Sequence, residues 1–243
     1  MKTFIELAGK TFVVDSIYGG FSFFCQDFLV DSTDTAYPIS VNEMDLDHEW
    51  KYEHDNPIEK NSIQRKSMNP VLERKAILRK IVEILPGFSV MLMHGAVVCN
   101  GDDAYMFTAP SGEGKTTRAH LFLETHPNSF ILNGDKPFIK VMKDRVLVYS
   151  SPWKGKEDEG VNAFATLKAI FLLERHEHTI LTELNIQEAF DFLLSQTCMP
   201  SKDENAKKVL ELLHSMQGKV RVFRYQSPPT EESVNMAIHA ANN

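Results

Sequence analysis

The segment at residues 109–117, Ala-Pro-Ser-Gly-Glu-Gly-Lys-Thr-Thr, constrains the fold of this chain more than any other feature. It follows an apolar run at residues 104–108 that is typical of a β-strand, and it leads into residues 116–125, whose apolar positions favour a helix. The segment fits the pattern G-x-x-x-x-G-K-[ST], with Ala109 in place of the first glycine. A strand, this loop and a helix in that order indicate a phosphate-binding P-loop, or Walker A motif. The alternative is a glycine-rich turn that precedes a lysine-bearing helix.

The residue types of this loop suit the binding of a nucleotide. Glycines allow a tight turn that points backbone N–H groups inward, and the N-terminus of the following helix adds a positive dipole end. We expect Lys115 to project from an exposed loop and reach the β- and γ-phosphates, Thr116 to complete the shell of a Mg²⁺ ion, and Thr117 to bond the α-phosphate. The predicted ATP-binding residues are Ser111, Gly112, Glu113, Gly114, Lys115, Thr116 and Thr117.

The composition excludes several classes of partner. The chain has 243 residues, of which 43% are hydrophobic and 24% charged, as in an ordinary globular protein. A net charge of -7 argues against nucleic acid as a partner. The N-terminus lacks the apolar run of a signal peptide, and no later segment has the length of a membrane span. Three distant cysteines, an odd number without metal-ligand spacing, suit a reducing compartment, so the sequence predicts a cytoplasmic protein without a membrane partner.

Two regions differ in pattern along the chain. Residues 1–87 are predicted to form a strand-rich N-terminal lobe with a connecting helix, and residues 88–243 to form the P-loop core. The lobe is expected to contain strands at residues 11–14 and 21–24, a polar connector at residues 46–62, and a helix at residues 71–85 that stops at Pro86.

In the core, Asn100 and Gly101 separate two apolar runs, residues 88–98 and 104–108, which predicts an antiparallel hairpin. Common P-loop folds alternate strand and helix in a parallel sheet, so this hairpin indicates a mixed α/β fold whose sheet is largely antiparallel. The remaining core elements are expected as strands at residues 130–132, 138–142, 146–149, 167–173 and 220–225, and as helices at residues 186–195, 205–216 and from 231 onward.

Two further residues are candidates for catalysis. Asp135 ends an apolar strand about twenty residues beyond the loop, where a carboxylate would serve as Mg²⁺ ligand or catalytic base. The alternative is that Asn133, Gly134 and Asp135 form a hairpin turn. His94 lies on the apolar strand before the hairpin, where a histidine is more often a satisfied core residue.

The segment at residues 150–156 combines an aromatic residue, Trp153, with two cations, Lys154 and Lys156. It would close over a phosphate or an acceptor. Lys154 or Lys156 would supply the positive charge that an arginine supplies elsewhere, because no arginine except Arg118 lies near the motifs in sequence. Alternatively, it is a solvated loop with Trp153 packed beneath it.

The order of these motifs resembles the kinase domain of HPr kinase/phosphorylase and its small relatives, which share a core fold with ATP-dependent phosphoenolpyruvate carboxykinase. The resemblance rests on His94-Gly95, the loop at residues 109–117, Gly134-Asp135 and residues 152–156. It extends over about residues 88–156 and is absent from the first 87 residues. It implies that His94 and Asp135 serve the reacting phosphate and the acceptor hydroxyl.

Two departures from this family distinguish the chain. The family usually has two adjacent aspartates where this chain has Gly134-Asp135, so one carboxylate would serve as metal ligand and base. The sequence does not contain the family's later Arg-Gly-Leu-Gly signature, which argues against phosphorylase activity and against HPr as the acceptor. The chain looks closer to stand-alone kinases of serine in other acceptors.

The resemblance and the residues together predict ATP- and Mg²⁺-dependent phosphoryl transfer to a serine hydroxyl of a peptide or small protein. The rival interpretation is a nucleotide-binding sensor or scaffold without efficient phosphotransfer, since one aspartate is missing. The sequence leaves a homo-oligomer open.

Overall fold

The computed structural model describes residues 2–53 and 63–243. The chain divides into two compact units, Met1–Ile84 and Leu85–Asn243. In the described residues the first unit carries a three-stranded sheet and the second a nine-stranded sheet. Helices accompany both sheets, which confirms the predicted mixed α/β class with a small N-terminal sheet.

The sheet of the first unit begins with a hairpin. Strands β1 and β2 pair antiparallel, and β3 adds to β2 in parallel. The strands bury every second residue, as the apolar alternation requires. The elements of this unit are β1 (Lys2–Leu7), β2 (Lys10–Asp15), α1 (Phe21–Phe24), β3 (Tyr37–Ser40), α2 (Glu43–Glu53) and α3 (Ile63–Ile84).

Two predictions for this unit are wrong. Residues 21–24 form a helical turn, because Phe21 and Phe24 lie three residues apart and their rings meet with centroids 6.1 Å apart on one side of the turn. The first half of the predicted connector is helix α2, in which Leu46 and Trp50 share a buried face that packs on Leu72. The rest of that connector, residues 54–62, lies outside the described residues. The predicted helix at residues 71–85 is confirmed as part of α3.

The second unit is organised around a mixed sheet. Strand β10 pairs in parallel with β6 and β12, and the other pairings in this sheet are antiparallel. Its strands are β4 (Val90–Leu92), β5 (Ala96–Asn100), β6 (Asp103–Thr108), β7 (Ser129–Asn133), β8 (Phe138–Val141), β9 (Val146–Tyr149), β10 (Phe164–Arg175), β11 (Ile180–Leu184) and β12 (Arg221–Ser227).

Helices cover both faces of this sheet. Successive residues of β6 point to opposite faces, so Met106 packs in the core that includes residues of helices α5 and α6, and Phe107 in the core that includes residues of α4 and α7. The unit therefore has three layers. These helices are α4 (Lys115–Thr125), α5 (Ile186–Ser195), α6 (Asp203–Ser215) and α7 (Glu231–Asn242). No helix in residues 2–53 and 63–243 is long and apolar enough to cross a membrane.

The predicted hairpin at Asn100 and Gly101 is confirmed, since β5 and β6 pair antiparallel there and Gly101 has a φ of 60°. The predicted strand at residues 88–98 is instead two strands, β4 and β5. The break falls at Gly95, where the backbone of β6 comes so close that a Cβ atom would lie 2.9 Å from the carbonyl oxygen of Phe107. Strand β11 was not predicted, because its residues are largely exposed.

The pairing of three strands decides where the predicted motifs meet. Because β5 pairs antiparallel with both β6 and β7, the start of β5 lies at the same sheet edge as the ends of β6 and β7. His94 lies just before β5, the loop at residues 109–117 follows β6, and Asp135 follows β7. The topology therefore brings these three features to one edge.

Candidate active site

The loop after β6 has the backbone conformation that its glycines allow. Gly112 and Gly114 have φ values of 86° and 89°, which a residue with a Cβ adopts with difficulty. A Cβ atom on Gly114 would also lie 2.8 Å from Nη1 of Arg118. Helix α4 starts at Lys115 directly after this turn, so its free N–H groups and positive dipole end lie at the loop.

Lys115 does not project into solvent as expected. Its side chain is 7% exposed, and Nζ donates hydrogen bonds to the carbonyl oxygens of Ala109 at 2.9 Å and Pro110 at 3.1 Å. Burial lowers the pKa of Lys115, and the nearby charge of Asp135 partly offsets that effect. The ammonium group is therefore held at the base of the loop.

The loop opens into a cavity of ≈ 600 Å³, a volume within the range of small-molecule sites. Charged, polar and glycine residues line it. Glu113 and Lys154, which were predicted site residues, do not line it. The lining residues are His94, Ser111, Gly112, Gly114, Lys115, Thr116, Thr117, Gly134, Asp135, Lys136, Gly155, Lys156 and Glu157.

The carboxylate of Asp135 lies between the side chains of His94 and Lys136. Its Oδ1 is 3.1 Å from Nε2 of His94, and its Oδ2 is 2.8 Å from Nζ of Lys136. Burial raises the pKa of Asp135, but the hydrogen bond from His94 and the charge and hydrogen bond of Lys136 outweigh it and bring the pKa to about 2. The carboxylate is therefore ionised near neutral pH.

The backbone around Asp135 is fixed by the buried side chain of Asn133. Its Oδ1 accepts hydrogen bonds from the N–H groups of Asp135 at 2.9 Å and Lys136 at 2.7 Å, while its Nδ2 donates to the carbonyl oxygen of Ser151 at 3.0 Å. This is asparagine turn chemistry. However, β7 and β8 do not pair with each other, so the turn does not close a hairpin, and Asp135 faces the cavity.

Gly134 occupies a position without room for a side chain. A Cβ atom there would lie 2.7 Å from the carbonyl oxygen of Lys154 and 3.3 Å from that of Glu159. The N–H of Gly134 also donates to the Glu159 carbonyl at 3.0 Å. The close approach of this neighbouring loop explains why glycine precedes Asp135.

The segment at residues 150–156 contacts the candidate site through its backbone. Trp153 is 8% exposed, which agrees with the interpretation of an indole packed beneath the loop. At Gly155, with a φ of 89°, a Cβ atom would lie 3.1 Å from Cβ of Asp135. Lys156 lines the cavity beyond this glycine.

Comparison with known proteins gives no match in sequence and a weak likeness in structure. No family model and no curated protein matches the chain. Among solved structures, the HPr(Ser) kinase/phosphatase from Coxiella burnetii is similar over 62% of this chain and 95% of that chain, with 8% sequence identity and a TM-score of 0.28. A likeness at this TM-score supports no conclusion about function.

Sequence reasoning missed two cations at the site. Lys136 follows Asp135 directly, and this adjacency was a usable signal. Arg175, at the end of β10, donates from Nη2 to the carbonyl oxygen of Gly112 at 2.6 Å, and its Nε lies 3.0 Å from Oε2 of Glu113. Arg175 is therefore a second arginine near the motifs, in addition to Arg118. No local pattern pointed to Arg175, because the parallel pairing of β10 with β6 places it there.

The donor groups fit a Mg²⁺ ion held together with a nucleotide. In residues 2–53 and 63–243 no group of three or more His, Cys, Asp or Glu side chains forms a metal site. Mg²⁺ bound with phosphates needs one or two protein oxygens beside phosphate oxygens and water. Thr116 and Asp135 both line the cavity, and their hydroxyl and carboxylate groups are of the kind that this requirement names.

Proposed function

We propose that this chain transfers the γ-phosphoryl group of ATP to a hydroxyl, specifically to a serine of a peptide or small protein. The observation that carries the proposal is the meeting of a glycine-rich loop at a helix N-terminus with an ionised carboxylate, Asp135, in one cavity. Phosphoryl transfer depends chiefly on positioning and charge stabilisation, and these groups supply both.

In this proposal the loop holds the phosphates. Backbone N–H groups of residues 111–116 and the ammonium group of Lys115 would bind them, and Thr117 would bond the α-phosphate. Thr116 and Asp135 would hold a Mg²⁺ ion that binds together with the nucleotide, and this ion would supply neutralisation of phosphate charge. Lys156, which also lines the cavity, would add positive charge.

Asp135 would orient the acceptor hydroxyl. A pKa of about 2 makes this carboxylate a weak base, so an orienting hydrogen bond suits it better than full removal of the proton before transfer. The transition state of phosphoryl transfer is usually loose and demands little basicity. His94 would hold the carboxylate in position through its 3.1 Å contact.

A second function has one structural observation in its favour. Both carboxylate oxygens of Asp135 already contact a side chain, Oδ1 that of His94 and Oδ2 that of Lys136. The family resemblance adds that a second acidic residue is missing beside Asp135. A site of this kind would bind a nucleotide and act as a sensor or scaffold without efficient phosphotransfer.

Transfer of label separates the two functions. The full chain is incubated with γ-labelled ATP, Mg²⁺ and a panel of serine-containing peptides, each with a matched peptide in which alanine replaces serine. The kinase proposal expects label on serine peptides with repeated turnover, and loss of transfer in the folded Asp135→Asn variant. Stoichiometric ATP binding with no labelled peptide would favour the sensor or scaffold.

A further inference from the structure

Lys136 lines the cavity and its ammonium group contacts Asp135. Its side chain is 36% exposed and lines the cavity beside Lys115 and Thr116. Its Nζ is 2.8 Å from Oδ2 of Asp135. The ammonium group therefore stands at the carboxylate that the proposed reaction uses.

The backbone of Lys136 is held on both sides. Its N–H donates to Oδ1 of Asn133 at 2.7 Å, and its carbonyl oxygen accepts a hydrogen bond from Oγ of Ser151 at 2.6 Å. Both partner residues are 0% exposed. Pro137 follows, and its ring restricts the conformation of the residue before it. The fold thus fixes the backbone of Lys136, while its side chain extends along the cavity.

The other lysines of the region are placed differently. Lys115 donates to two loop carbonyl oxygens and is almost fully buried. Lys156 lines the cavity from the segment at residues 150–156, and Lys154 does not line it. Lys136 is the lysine of this set whose ammonium group contacts Asp135.

We propose that Lys136 recognises the γ-phosphate, and that its ammonium group leaves Asp135 for this phosphate when ATP binds. The inference rests on the proposed binding of ATP at the loop. A terminal phosphate carries more negative charge than one carboxylate and accepts several charge-assisted hydrogen bonds, so it competes well for the ammonium group. Asp135 keeps its contact with His94 after the exchange. ADP has no γ-phosphate and leaves Lys136 on Asp135.

Titrations of ATP and ADP without Mg²⁺ test this exchange. They compare the wild type with Lys136→Met, Lys136→Arg and the control variant Lys140→Met. Lys140 does not line the cavity, and its ammonium group lies 5.8 Å from the centroid of the Tyr149 ring. We expect Lys136→Met to weaken ATP binding about tenfold, the size of one lost charged hydrogen bond, with ADP binding changed less than about twofold. Lys136→Arg should restore part of the preference, and the control should leave it unchanged.

A second variant distinguishes movement of the Lys136 ammonium group from the general effect of removing a negative charge near the phosphates. Asp135→Asn removes the competitor for the ammonium group, so it should tighten ATP binding when Lys136 is present and much less in the Lys136→Met background. Equal gains in both backgrounds would overturn the exchange. An unchanged ATP-to-ADP preference in folded Lys136→Met would overturn the recognition while leaving the proposed function intact. A wild-type chain that binds no ATP would overturn both.

Discussion

Nε2 of His94 lies 3.1 Å from Oδ1 of Asp135, although one residue precedes β5 and the other follows β7. A second contact joins the same two segments, since the N–H of Gly95 donates to the carbonyl oxygen of Asp135 at 2.9 Å. Backbone and side chain thus fix the carboxylate together. Substitution of His94 or Asp135 should therefore change the chemistry of the site more than its shape.

Asp135→Asn should lower the rate of phosphoryl transfer by about 10²- to 10⁴-fold and leave Mg²⁺-ATP binding largely in place, because the amide keeps the size of the side chain and loses its charge. The rate at saturating Mg²⁺-ATP and the melting temperature are measured together. If Asp135 served the turn alone, asparagine would replace it at almost no cost. A fully active variant with an unchanged melting temperature would remove Asp135 from the mechanism.

Gly134→Asp should destabilise the protein rather than improve the site. The Cβ atom would meet the carbonyl oxygen of Lys154 at 2.7 Å, and relief of such a clash typically costs about 1–3 kcal/mol. The constraint is one of space, since Gly134 is not among the residues with a positive φ. Gly134→Ala should already lower the melting temperature, whereas Gly87→Ala, at a glycine with open space, should not. Equal melting temperatures for the two alanine variants would contradict this account.

Arg175→Met should weaken nucleotide binding although Arg175 does not line the cavity. Its guanidinium group holds the carbonyl oxygen of Gly112, and because the trans peptide points its C=O and N–H in opposite directions, this contact also orients the next N–H. We expect about a threefold to tenfold loss of ATP affinity from a less ordered loop. Arg224→Met, which removes the exposed pair with Glu174, is the matched control. Equal affinities for the two variants would show that Arg175 does not order the loop.

Asp45 should make the stability of the first unit depend on acid pH. Burial raises the pKa of Asp45, but hydrogen bonds from Lys80 and Asn42 and the charges of Lys80 and Arg79 lower it overall. A carboxyl group with a lowered pKa stabilises the fold above its unfolded value of about 3.9, and this contribution is lost as the pH falls below that value. Asp45→Asn should remove this part of the pH dependence.

The buried Trp50 on helix α2 reports on the first unit, and a Trp153→Phe background removes the signal of the other tryptophan. Unfolding followed by Trp50 fluorescence from pH 6 to pH 3 compares the chain that keeps Asp45 with the Asp45→Asn variant in that background. The same slope for both would show that Asp45 does not contribute.

Elements that depend on local patterns could be predicted from the sequence. The hairpin at Asn100 and Gly101 follows from turn chemistry, and helix α4 from the loop before it. Residues 21–24 were misread, because a run of phenylalanines fits a strand until the contact of Phe21 with Phe24 is known. Arg175 was missed because its place depends on long-range pairing.

For the candidate site, the residue patterns predicted the loop, His94 and Asp135 as separate features, and the family resemblance implied that they serve one reaction. Their meeting in one cavity depends on β5 pairing with both β6 and β7, which no single segment encodes. The burial of Lys115 could not be read from its neighbours in sequence either, because its partners are backbone carbonyl oxygens that are set by the shape of the loop.

The central claim is that residues 109–117 bind the phosphates of ATP, and a calorimetric titration of Mg²⁺-ATP into the wild type and Lys115→Met tests it most directly. Loss of the hydrogen bonds to Ala109 and Pro110 should cost about 1–3 kcal/mol of stability, so a melting curve first establishes that the variant is folded. The account predicts one bound ATP per wild-type chain and an affinity at least about tenfold weaker in folded Lys115→Met. An unchanged affinity in the folded variant would contradict it.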